Sequence, residues 1–563
     1  MRNICFFYLF LPAVILLLAP GAKSQALQWV ESSGTPGVEQ AWDIAVDNNG
    51  NSYLAGYFSG DTLKFSNDTG NHYLLPCTTM NGFFGKRDAN GSYLWAHGFC
   101  GGQISFIKIN EQKNILYLCG TSDTVTDFDF GIGTVHLDEQ GVFIAKYDTA
   151  GNFKWLMGFQ DSINFNVYGF SIDRYENLYL CGNVNGIDFD PGPGVSIVSG
   201  VAWSAGYVAK YDSSGTFIFV NALDGSAFDK TASVGADSLG YCYVIGELPN
   251  PIDFDPGPGS AILTPSDYST YIAVYDSIGN YVWAKELYCT GFEMGKEIEV
   301  APNGNFIISG QMSIDLDIDL GPGNVWLTSS CTTGGECYYL VKYDKNGNHL
   351  WGNTFFADLD FELWDITMDQ SENVFICGSF RGVADFDPGT SYLPLTASEH
   401  QGYFARYNSN GNYVWAQAVT GGTGTRIHTI ELGPSSDIYL TGYFTDTCDF
   451  DKDAPLVSPV IFGNCDIFSS RYSNSLTGIA STEMENYINI YPNPVSNELI
   501  VEIKDKRIAT HLVRIYDVLG NIINTYTFDV PFIRIDVSQY NNGSYLLTVD
   551  ESSQFYSTLF IKL

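Results

Sequence analysis

A stretch that looks like a β-hairpin recurs along the chain, and this repeat constrains the fold more than any other feature. It reads YIAVYDSIGNYVW at Tyr271–Trp283, with two alternating runs around an Asp-x-x-Gly-Asn turn. This pattern predicts two antiparallel strands joined by a tight turn. In the copy YVAKYD, alternation predicts that apolar side chains face the next unit and that Lys210 points to the rim. Further copies begin at Phe83, Phe143, Tyr207, Tyr339 and Tyr403.

A second pair of strand-like runs precedes each hairpin, and its glycines give the length of the repeat. The first copy spans Trp42–Phe58, and the glycine in its second strand recurs every 62 to 68 residues. These glycines are Gly56, Gly120, Gly182, Gly246, Gly310, Gly378 and Gly442. Tandem units of four strands pack face against face around an axis. The sequence therefore predicts an all-β fold, a seven-bladed β-propeller of four-stranded blades, over residues 25–473.

The two ends of the repeat array complement each other. The seventh unit reaches Asp466–Ser473 and then lacks its Trp-bearing strand, whereas Leu27–Ser32 carries Trp29 near the start of the chain. If these strands share one blade, no sheet edge is left exposed. We therefore expect the ring to close by pairing the first strand with the last.

The charge balance and the N-terminal segment indicate an exported protein. The formal net charge is −36, from 63 acidic and 27 basic residues. Such a surface repels nucleic acid and anionic membranes and favours cations or neutral ligands. Residues 1–24 have a basic start at Arg2, an apolar core and small residues before Gln25, which is typical of a secretory signal peptide. No later apolar run is long enough to span a bilayer, so we expect a soluble protein without nucleic-acid partners.

The cysteines give two open disulfide hypotheses. Cys119, Cys181 and Cys377 each precede a repeat glycine, which indicates a small packed core position. Cys331 with Cys337, and Cys448 with Cys465, are close enough in sequence to pair in an oxidising compartment. Spacing alone leaves each pairing open, because a disulfide requires a particular Cα separation.

An acidic motif of the form DFDPGPG recurs between the second and third predicted strands. Two carboxylates separated by one strand residue point to the same side, so each pair is a candidate part of a calcium site. In the alternative interpretation the Asp side chains bind backbone amides of their own turn. Calcium is the one candidate cofactor. The candidate ligands are Asp188, Asp190, Asp253, Asp255, Asp317, Asp319, Asp385 and Asp387.

No catalytic motif accompanies the repeat. The seven histidines are scattered, and the sequence contains no HExxH, GxSxG, phosphate-loop or CxxC pattern, so we predict no catalytic residues. Two function classes stay open. The favoured class is a surface binding or adhesion module for carbohydrate or protein; the alternative is a secreted polysaccharide-degrading hydrolase or lyase with a site on the axial face. An aromatic strip would favour carbohydrate, and a deep axial cleft with unmatched charged side chains would favour the enzyme.

The repeat resembles a known family. Its units read approximately D-x-x-G-N-x-Y-x-x-G followed by F-x-A-K-Y-D-x-x-G-x-x-x-W. Over about residues 27–473 this pattern is similar to the bacterial β-propeller repeat family of the SBBP type. The resemblance implies an extracellular propeller and no single activity, because a fold does not determine function.

Composition changes after Ser473. Residues 474–484 read as a polar linker, and residues 485–563 contain alternating runs typical of a small, immunoglobulin-like β-sandwich. This end resembles the type A C-terminal sorting domain of the type IX secretion system of the Bacteroidota. The resemblance implies passage across the outer membrane with the type IX machinery, removal by a sortase-like peptidase and frequent attachment to lipopolysaccharide. The motif residues are Tyr491, Pro492, Asn493, Pro494, Gly520, Gly543 and Lys562.

Overall fold

The computed structural model describes residues 25–66, 73–159, 165–200, 204–225, 230–265, 268–289, 291, 293–328, 337–389, 392–451, 456–474, 488–503, 511–516, 522–528, 532–551 and 554–563. The predicted signal peptide and all but the first residue of the predicted linker lie outside these ranges. By its internal contacts the chain divides into two compact units, Met1–Asn474 and Ser475–Leu563. No helix within the described ranges is long and apolar enough to cross a membrane.

The first unit contains seven sheets, each with four main antiparallel strands, which we number 1 to 7. Sheets 1 to 3 consist of Glu39–Val46, Ser52–Ser59, Met80–Arg87 and Tyr93–Cys100; of Gln103–Asn110, Ile115–Ser122, Gly141–Asp148 and Phe153–Gly158; and of Phe165–Ile172, Leu178–Val184, Ala205–Tyr211 and Phe217–Leu223. Sheets 4 and 5 consist of Thr231–Ala236, Cys242–Leu248, Ser269–Tyr275 and Tyr281–Cys289; and of Glu293–Val300, Phe306–Met312, Cys337–Tyr343 and His349–Phe355. Sheets 6 and 7 consist of Asp360–Met368, Val374–Asp385, Pro394–Tyr407 and Tyr413–Ala418; and of Gly424–Leu432, Ile438–Thr445, Asp466–Ser473 and Ala26–Gly34.

Short strands extend or flank these sheets. Leu63–Phe65 and Tyr73–Leu74 continue sheet 7 beyond Ala26–Gly34. Four further two-stranded pairings are Ile187–Asp188 with Ile197–Val198, Ile252–Asp253 with Ile262–Leu263, Leu316–Asp317 with Trp326–Leu327, and Thr420–Gly421 with Cys448–Asp449. A 3₁₀ turn, Pro434–Ser436, connects the first two strands of sheet 7.

The seven sheets follow one another in a closed cycle. The first strand of each sheet contacts the first strand of the next, and the first strand of sheet 7 contacts that of sheet 1. A separate hydrophobic cluster fills the space between each pair of neighbouring sheets. Burial of apolar side chains between sheets is the main stabilising contribution in such an arrangement. This all-β architecture is consistent with the blades of a β-propeller.

The ends of the array pair as the sequence predicts. Ala26–Gly34 runs antiparallel to Asp466–Ser473, with Trp29 opposite Arg471. The Trp29 side chain is only 9% exposed, and its Nε1 donates a hydrogen bond to the backbone oxygen of Ala89 in sheet 1 at 3.0 Å. The closing strand is therefore held by its own sheet and by the neighbouring one.

The Asp-x-x-Gly-Asn turns are held by their own side chains. In the hairpin of sheet 4, Asp276 Oδ1 accepts hydrogen bonds from the backbone N–H groups of Ile278 (3.0 Å) and Asn280 (2.9 Å). Gly279 has a φ of 90°, which a residue with a side chain rarely adopts. The predicted structural role of this turn is confirmed.

The prediction that Lys210 points to the rim is wrong. Lys210 is 2% exposed, and its Nζ donates to the backbone oxygen of Ser277 in the hairpin turn of the next sheet at 2.9 Å. The ammonium lies 4.8 Å from the centroid of the Tyr179 ring, and burial lowers the pKa of Lys210. Lys146 makes the same bond to Ser213 at 3.0 Å. The long lysine stem crosses to the next sheet and ties the two hairpins together.

The cysteine hypotheses have mixed outcomes. Cys119, Cys181 and Cys377 are fully buried, which confirms the core position. The predicted Cys448–Cys465 disulfide is wrong: both thiols are free, and Cys448 lies in the core against the Thr425 hydroxyl at 3.0 Å.

A disulfide that spacing did not reveal joins Cys77, in the insert of sheet 1, to Cys100 at the end of its fourth strand. Cys337 takes part in a disulfide, and Cys331 lies outside the described ranges.

The second unit contains two antiparallel sheets. One is ordered Ile488–Tyr491, Glu498–Ile503 and Phe532–Asp536; the other is ordered Ile522–Phe528, His511–Tyr516, Gly543–Glu551 and Gln554–Lys562. A single hydrophobic cluster, which includes Val495, Leu499 and Ile535, draws residues from both sheets.

Candidate functional site

The four predicted acidic pairs lie in loops between the second and third strands of sheets 3 to 6. Asp188 Oδ1 accepts hydrogen bonds from the N–H groups of Asp190 (3.1 Å) and Ser196 (2.8 Å). Asp190 Oδ1 accepts one from the Gly192 N–H at 2.8 Å. The same three bonds recur in the loops of Asp253 and Asp255, Asp317 and Asp319, and Asp385 and Asp387. One oxygen of every carboxylate is therefore bound to loop backbone.

The residue between the two acids anchors each loop in the core. In sheet 3 this residue is Phe189, which is fully buried, and its carbonyl accepts a hydrogen bond from the Tyr211 hydroxyl at 2.7 Å. Sheet 1 has no such acidic loop, and there Arg87 replaces the tyrosine and bonds to the Gly91 carbonyl at 2.8 Å. Five further loops show the same bond, between Tyr147 and Phe128, Tyr275 and Phe254, Tyr343 and Ile318, Tyr407 and Phe386, and Tyr472 and Phe450.

The acidic loops fit a calcium ion poorly. Calcium takes six to eight oxygen ligands. Loop backbone binds one oxygen of each carboxylate, and the second oxygens of Asp253 and Asp317 also accept hydrogen bonds, from Ser260 and Asn324. Within the described ranges, no group of three or more His, Cys, Asp or Glu side chains has a metal-binding arrangement. The geometry favours a structural role, and calcium binding stays a prediction.

The first strands of the seven sheets carry a second, unpredicted set of residues. Each strand has a β-bulge at the same repeat position, where one residue has no partner on the second strand. Bulges of this kind re-aim a side chain and often occur beside functional sites. The residue differs in kind from sheet to sheet. In order, these residues are Trp42, Ser105, Tyr168, Ala232, Lys296, Trp364 and His428.

These strands surround a cavity of about 780 Å³, which we call the axial cavity. All seven first strands contribute to its lining. Its volume lies within the range of small-molecule binding sites, which is roughly 300–1,000 Å³. It is therefore the candidate ligand site of the first unit.

An aromatic group lines part of the axial cavity. The rings of Trp42 and His428 stack, with centroids 5.2 Å apart, and Trp364 lies 5.3 Å from His428. Trp364 and Tyr168 are 37% and 38% exposed. Exposed aromatic side chains beside polar groups are typical of recognition sites.

His428 is neutral and presents an acceptor. Its Nδ1 lies 3.2 Å from the backbone oxygen of Ala41 and donates to it, so Nε2 carries the lone pair in the neutral ring. Burial lowers the pKa of His428. Nε2 has no partner within the described part of the chain.

Carboxylates dominate the charge of the axial cavity. Its lining contains one lysine, Lys108, whose Nζ lies 3.0 Å from Asp43 Oδ2. Burial acts to lower the pKa of Lys108, but the carboxylates of Asp43, Glu431 and Asp365 outweigh burial and raise it. The carboxylates in the lining are Asp43, Glu111, Glu297, Glu299, Asp365 and Glu431.

Five of these carboxyl groups, Glu111 among them, have raised pKa values, first because burial disfavours the charged form and then because neighbouring carboxylates repel them. The pKa is raised to about 8 for Glu297 and Glu299 and to about 7 for Asp365 and Glu431. Asp365 accepts backbone hydrogen bonds, including one from the Ile430 N–H at 2.9 Å. No described residue donates a hydrogen bond to the Glu299 carboxyl group. Groups that titrate near neutral pH inside a cavity mark a candidate functional site.

Sequence reasoning missed the axial cavity because it searched for repeated acidic pairs. A usable signal was present: when the first strands are aligned by repeat, the position of Trp42 and Trp364 carries six different residue types in seven units. Both expected discriminators occur together here, since the axial cavity has exposed aromatic rings and the Glu299 carboxyl group, which has no hydrogen-bond partner in the described part of the chain.

The sorting-motif residues come together at the end of the second unit. Asn493 Oδ1 accepts a hydrogen bond from the Ile561 N–H at 2.9 Å, and Gly543 pairs with Lys562 across two strands. Tyr491 ends the first strand of this unit, and Pro492 and Pro494 flank Asn493. Gly520 lies outside the described ranges.

Proteins similar to this chain include one curated relative and several solved structures. A curated relative, the uncharacterised WD repeat-containing protein L264 of Acanthamoeba polyphaga mimivirus, is 26% identical over 188 residues, 29% of this chain. The match spans 13% of that relative's length. Similar solved structures include Sqt1 from Chaetomium thermophilum, with a TM-score of 0.36, 9% identity and coverage of 74% of this chain and 97% of that one. A second is PorZ, a surface component of the type IX secretion system of Porphyromonas gingivalis, with a TM-score of 0.23, 10% identity and coverage of 93% of this chain and 81% of that one. A third is a PL25 ulvan lyase, with a TM-score of 0.31, 12% identity and coverage of 80% of this chain and 90% of that one.

The C-terminal match identifies the route of export. Residues 489–562 match the family described as secretion system C-terminal sorting domain. Its sheets and the contacts of Asn493, Gly543 and Lys562 lie within the matched range. The chain therefore carries a type IX secretion sorting domain, and the protein is exported across the outer membrane to the cell surface or the extracellular space.

Proposed function

We propose that the first unit is a seven-bladed β-propeller of the bacterial SBBP repeat type that binds carbohydrate at the cell surface. In this proposal residues 1–24 are the signal peptide, 25–473 the propeller, 474–484 the linker and 485–563 the sorting domain, which a sortase-like peptidase removes. The observation that carries the binding role is the aromatic group of Trp42, Trp364 and His428 in the axial cavity.

The chemistry of the cavity suits a sugar. Carbohydrate rings have apolar C–H faces, which stack on aromatic side chains, and hydroxyl groups, which donate to acceptors. The axial cavity offers both, because Trp364 and Tyr168 are partly exposed and His428 Nε2 and Glu299 accept. Its volume of about 780 Å³ is sufficient for a short oligosaccharide.

A glycan array probed with the purified full chain tests this proposal. We expect binding to a defined group of glycans, lost in Trp42→Ala and Trp364→Ala. Trp326→Ala is the matched control, because Trp326 is 45% exposed and does not line the axial cavity. Equal binding by all three variants would place the ligand elsewhere, and no binding to any glycan would refute the proposal.

A second candidate function is cleavage of a polysaccharide, by a hydrolase or by a lyase. It is favoured by the carboxyl groups of Glu297, Glu299, Asp365 and Glu431, whose raised pKa values are those needed of a general acid near neutral pH. A reducing-end assay on every glycan that binds distinguishes the classes. Product formation that disappears in Glu299→Gln, with binding retained, would establish the enzyme.

A further inference from the structure

We propose that the ligand of the axial cavity is a glycan with protonated amino groups, bound with an ammonium group against the cavity carboxylates. This inference rests on the proposed function and specifies its ligand class. It follows from the balance of charge, donors and acceptors in the lining.

The cavity lining has far more acidic than basic side chains. Six carboxyl groups face one lysine, and Lys108 is already paired with Asp43 at 3.0 Å. Four of the six hold a proton near neutral pH, which a bound cation can displace. The basic side chains on neighbouring positions of the first and adjoining strands have partners elsewhere. Lys230 lies 3.7 Å from Glu247, and Arg426 lies 3.2 Å from Glu362. Lys108 acts on Glu299 from a distance and lowers its pKa, but no described basic side chain lies within ion-pair distance of the Glu299 carboxyl group.

The lining also has buried polar atoms without a described partner. One is a donor, Trp42 Nε1, which a sugar oxygen can satisfy. Two other groups offer acceptors. His428 is 7% exposed, and its Nδ1–H is used by Ala41, which leaves Nε2 as an acceptor. Thr367 is 8% exposed, lines the same cavity and has a hydroxyl with no partner in the described part of the chain. Buried polar groups are normally hydrogen-bonded, so these groups indicate a ligand that supplies donors. An ammonium group has three donors and no acceptor.

Aromatic rings complete the recognition of a cation on a sugar. Trp is the best ring for a cation–π contact, and Trp42 and Trp364 both line the axial cavity. A bare metal ion fits less well, because no group of three ligating side chains occurs within the described ranges. A flat sugar ring that carries an ammonium group can use the rings and the carboxylates at once.

The carboxyl groups give an independent readout. Glu297, Glu299, Asp365 and Glu431 hold protons near neutral pH, with pKa values raised to about 7 or 8. A nearby ammonium group lowers the pKa of a carboxyl group. Binding of a cationic glycan should therefore release protons, whereas binding of a neutral glycan should not.

Isothermal titration calorimetry of the full chain at pH 6.0, where glucosamine amino groups are protonated, tests the inference with three probes: a glucosamine tetramer, its fully N-acetylated counterpart and tetralysine. We expect the glucosamine tetramer to bind about tenfold more tightly than the acetylated one. Its binding enthalpy should change with the ionisation enthalpy of the buffer, which reports proton release. Glu299→Gln should weaken binding about tenfold, and Glu431→Gln is the second variant should the first fail to fold. Glu139→Gln, which changes an exposed acid outside the cavity, is the control.

Each other outcome contradicts a different part of the proposal. Equal affinity for the two tetramers would refute the cationic ligand and leave the carbohydrate-binding proposal standing. Tighter binding of tetralysine than of the glucosamine tetramer would refute the glycan in favour of a peptide. No binding of any sugar, together with an empty glycan array, would refute both proposals.

Discussion

The acidic loops and the axial cavity use carboxylates in opposite ways within one repeat. In the loops every acid occupies the same position in sheets 3 to 6 and accepts hydrogen bonds from its own backbone, as Asp188 does from Ser196. In the cavity, Asp43 and Asp365 each follow a bulge residue and also accept backbone hydrogen bonds, from Ile107 and Ile430 of the next sheet. The Glu299 carboxyl group, in contrast, has no described hydrogen-bond partner. An acid with repeated backbone partners stabilises the fold, whereas an acid without a described partner is available for a ligand.

Deletion of the closing strand should have the largest effect on the stability of the first unit. We expect deletion of residues 25–33 to cost on the order of 5 kcal/mol, because it exposes a sheet edge and removes the packing of Trp29 on sheet 1. Chemical denaturation of the full chain and the truncated chain measures the difference. Coincident unfolding curves would show that the closing strand contributes nothing.

Loss of the cavity tryptophans should separate binding from stability. The double variant Trp42→Ala and Trp364→Ala is expected to lower affinity for the array-positive glycan about a hundredfold, because two stacking surfaces disappear. Trp364 is 37% exposed, so the melting temperature should change by only a few degrees. A large fall in melting temperature with unchanged affinity would show that the two tryptophans stabilise the fold and do not bind the glycan.

Asp188→Ala should show the opposite behaviour. It removes an acceptor for the backbone N–H groups of Asp190 and Ser196 and should destabilise the protein by about 1–2 kcal/mol. Affinity for the glycan should stay within twofold of the parent. Tyr211→Phe, which removes only the hydroxyl that bonds to Phe189, provides a milder version of the same test. Loss of affinity in either variant would show that the loops belong to the ligand site.

These contrasts also show what the sequence could predict. The repeat predicted the strand pattern and the pairing of Leu27–Ser32 with Asp466–Ser473, because hairpins and their turns are local. The buried position of Lys210 was not predictable by alternation, since its partner Ser277 belongs to the next sheet, 67 residues away. Cys448 and Cys465 failed to pair because sequence spacing does not determine the direction of a side chain.

The axial cavity was hidden for a related reason. Its residues come from seven strands that meet only when the cycle of sheets closes. Trp42 and His428 stand at bulges, where the alternation rule no longer applies, and they are 386 positions apart in the chain but stack in the structure. Only an alignment of the repeats against one another could have drawn attention to that position.

The pH dependence of stability should reflect the cavity acids. A carboxyl group with a folded pKa near 8, such as Glu299, binds more protons in the folded than in the unfolded chain between about pH 4.5 and 8. Stability should therefore fall as pH rises through this range. Glu297, Asp365 and Glu431 act in the same direction, and Lys108, whose pKa is raised, stays charged throughout.

Over the window from pH 6.5 to 8.5, unfolded histidines still lose part of their protons. This contribution cancels when the parent is compared with a variant at Glu299, because both chains have the same histidines. Glu299→Gln should reduce the loss of stability across this window by about 1 kcal/mol. Denaturation curves at both pH values measure it. A steeper loss in the variant would contradict the raised pKa of Glu299.

The smallest expected effect is that of calcium on the acidic loops. Clustered negative charge would be relieved by a divalent cation, and binding to the folded state alone would raise the melting temperature with the logarithm of calcium concentration. Against this, Asp188 and Asp190 already use one oxygen each to hold backbone N–H groups. We therefore expect equal melting temperatures in calcium, in magnesium and in chelator at matched ionic strength. Magnesium demands a tighter octahedral shell, which these loops are less suited to provide. A rise in melting temperature that occurs in calcium but not in magnesium, and that Asp253→Asn and Asp385→Asn both reduce, would therefore show that the loops bind calcium.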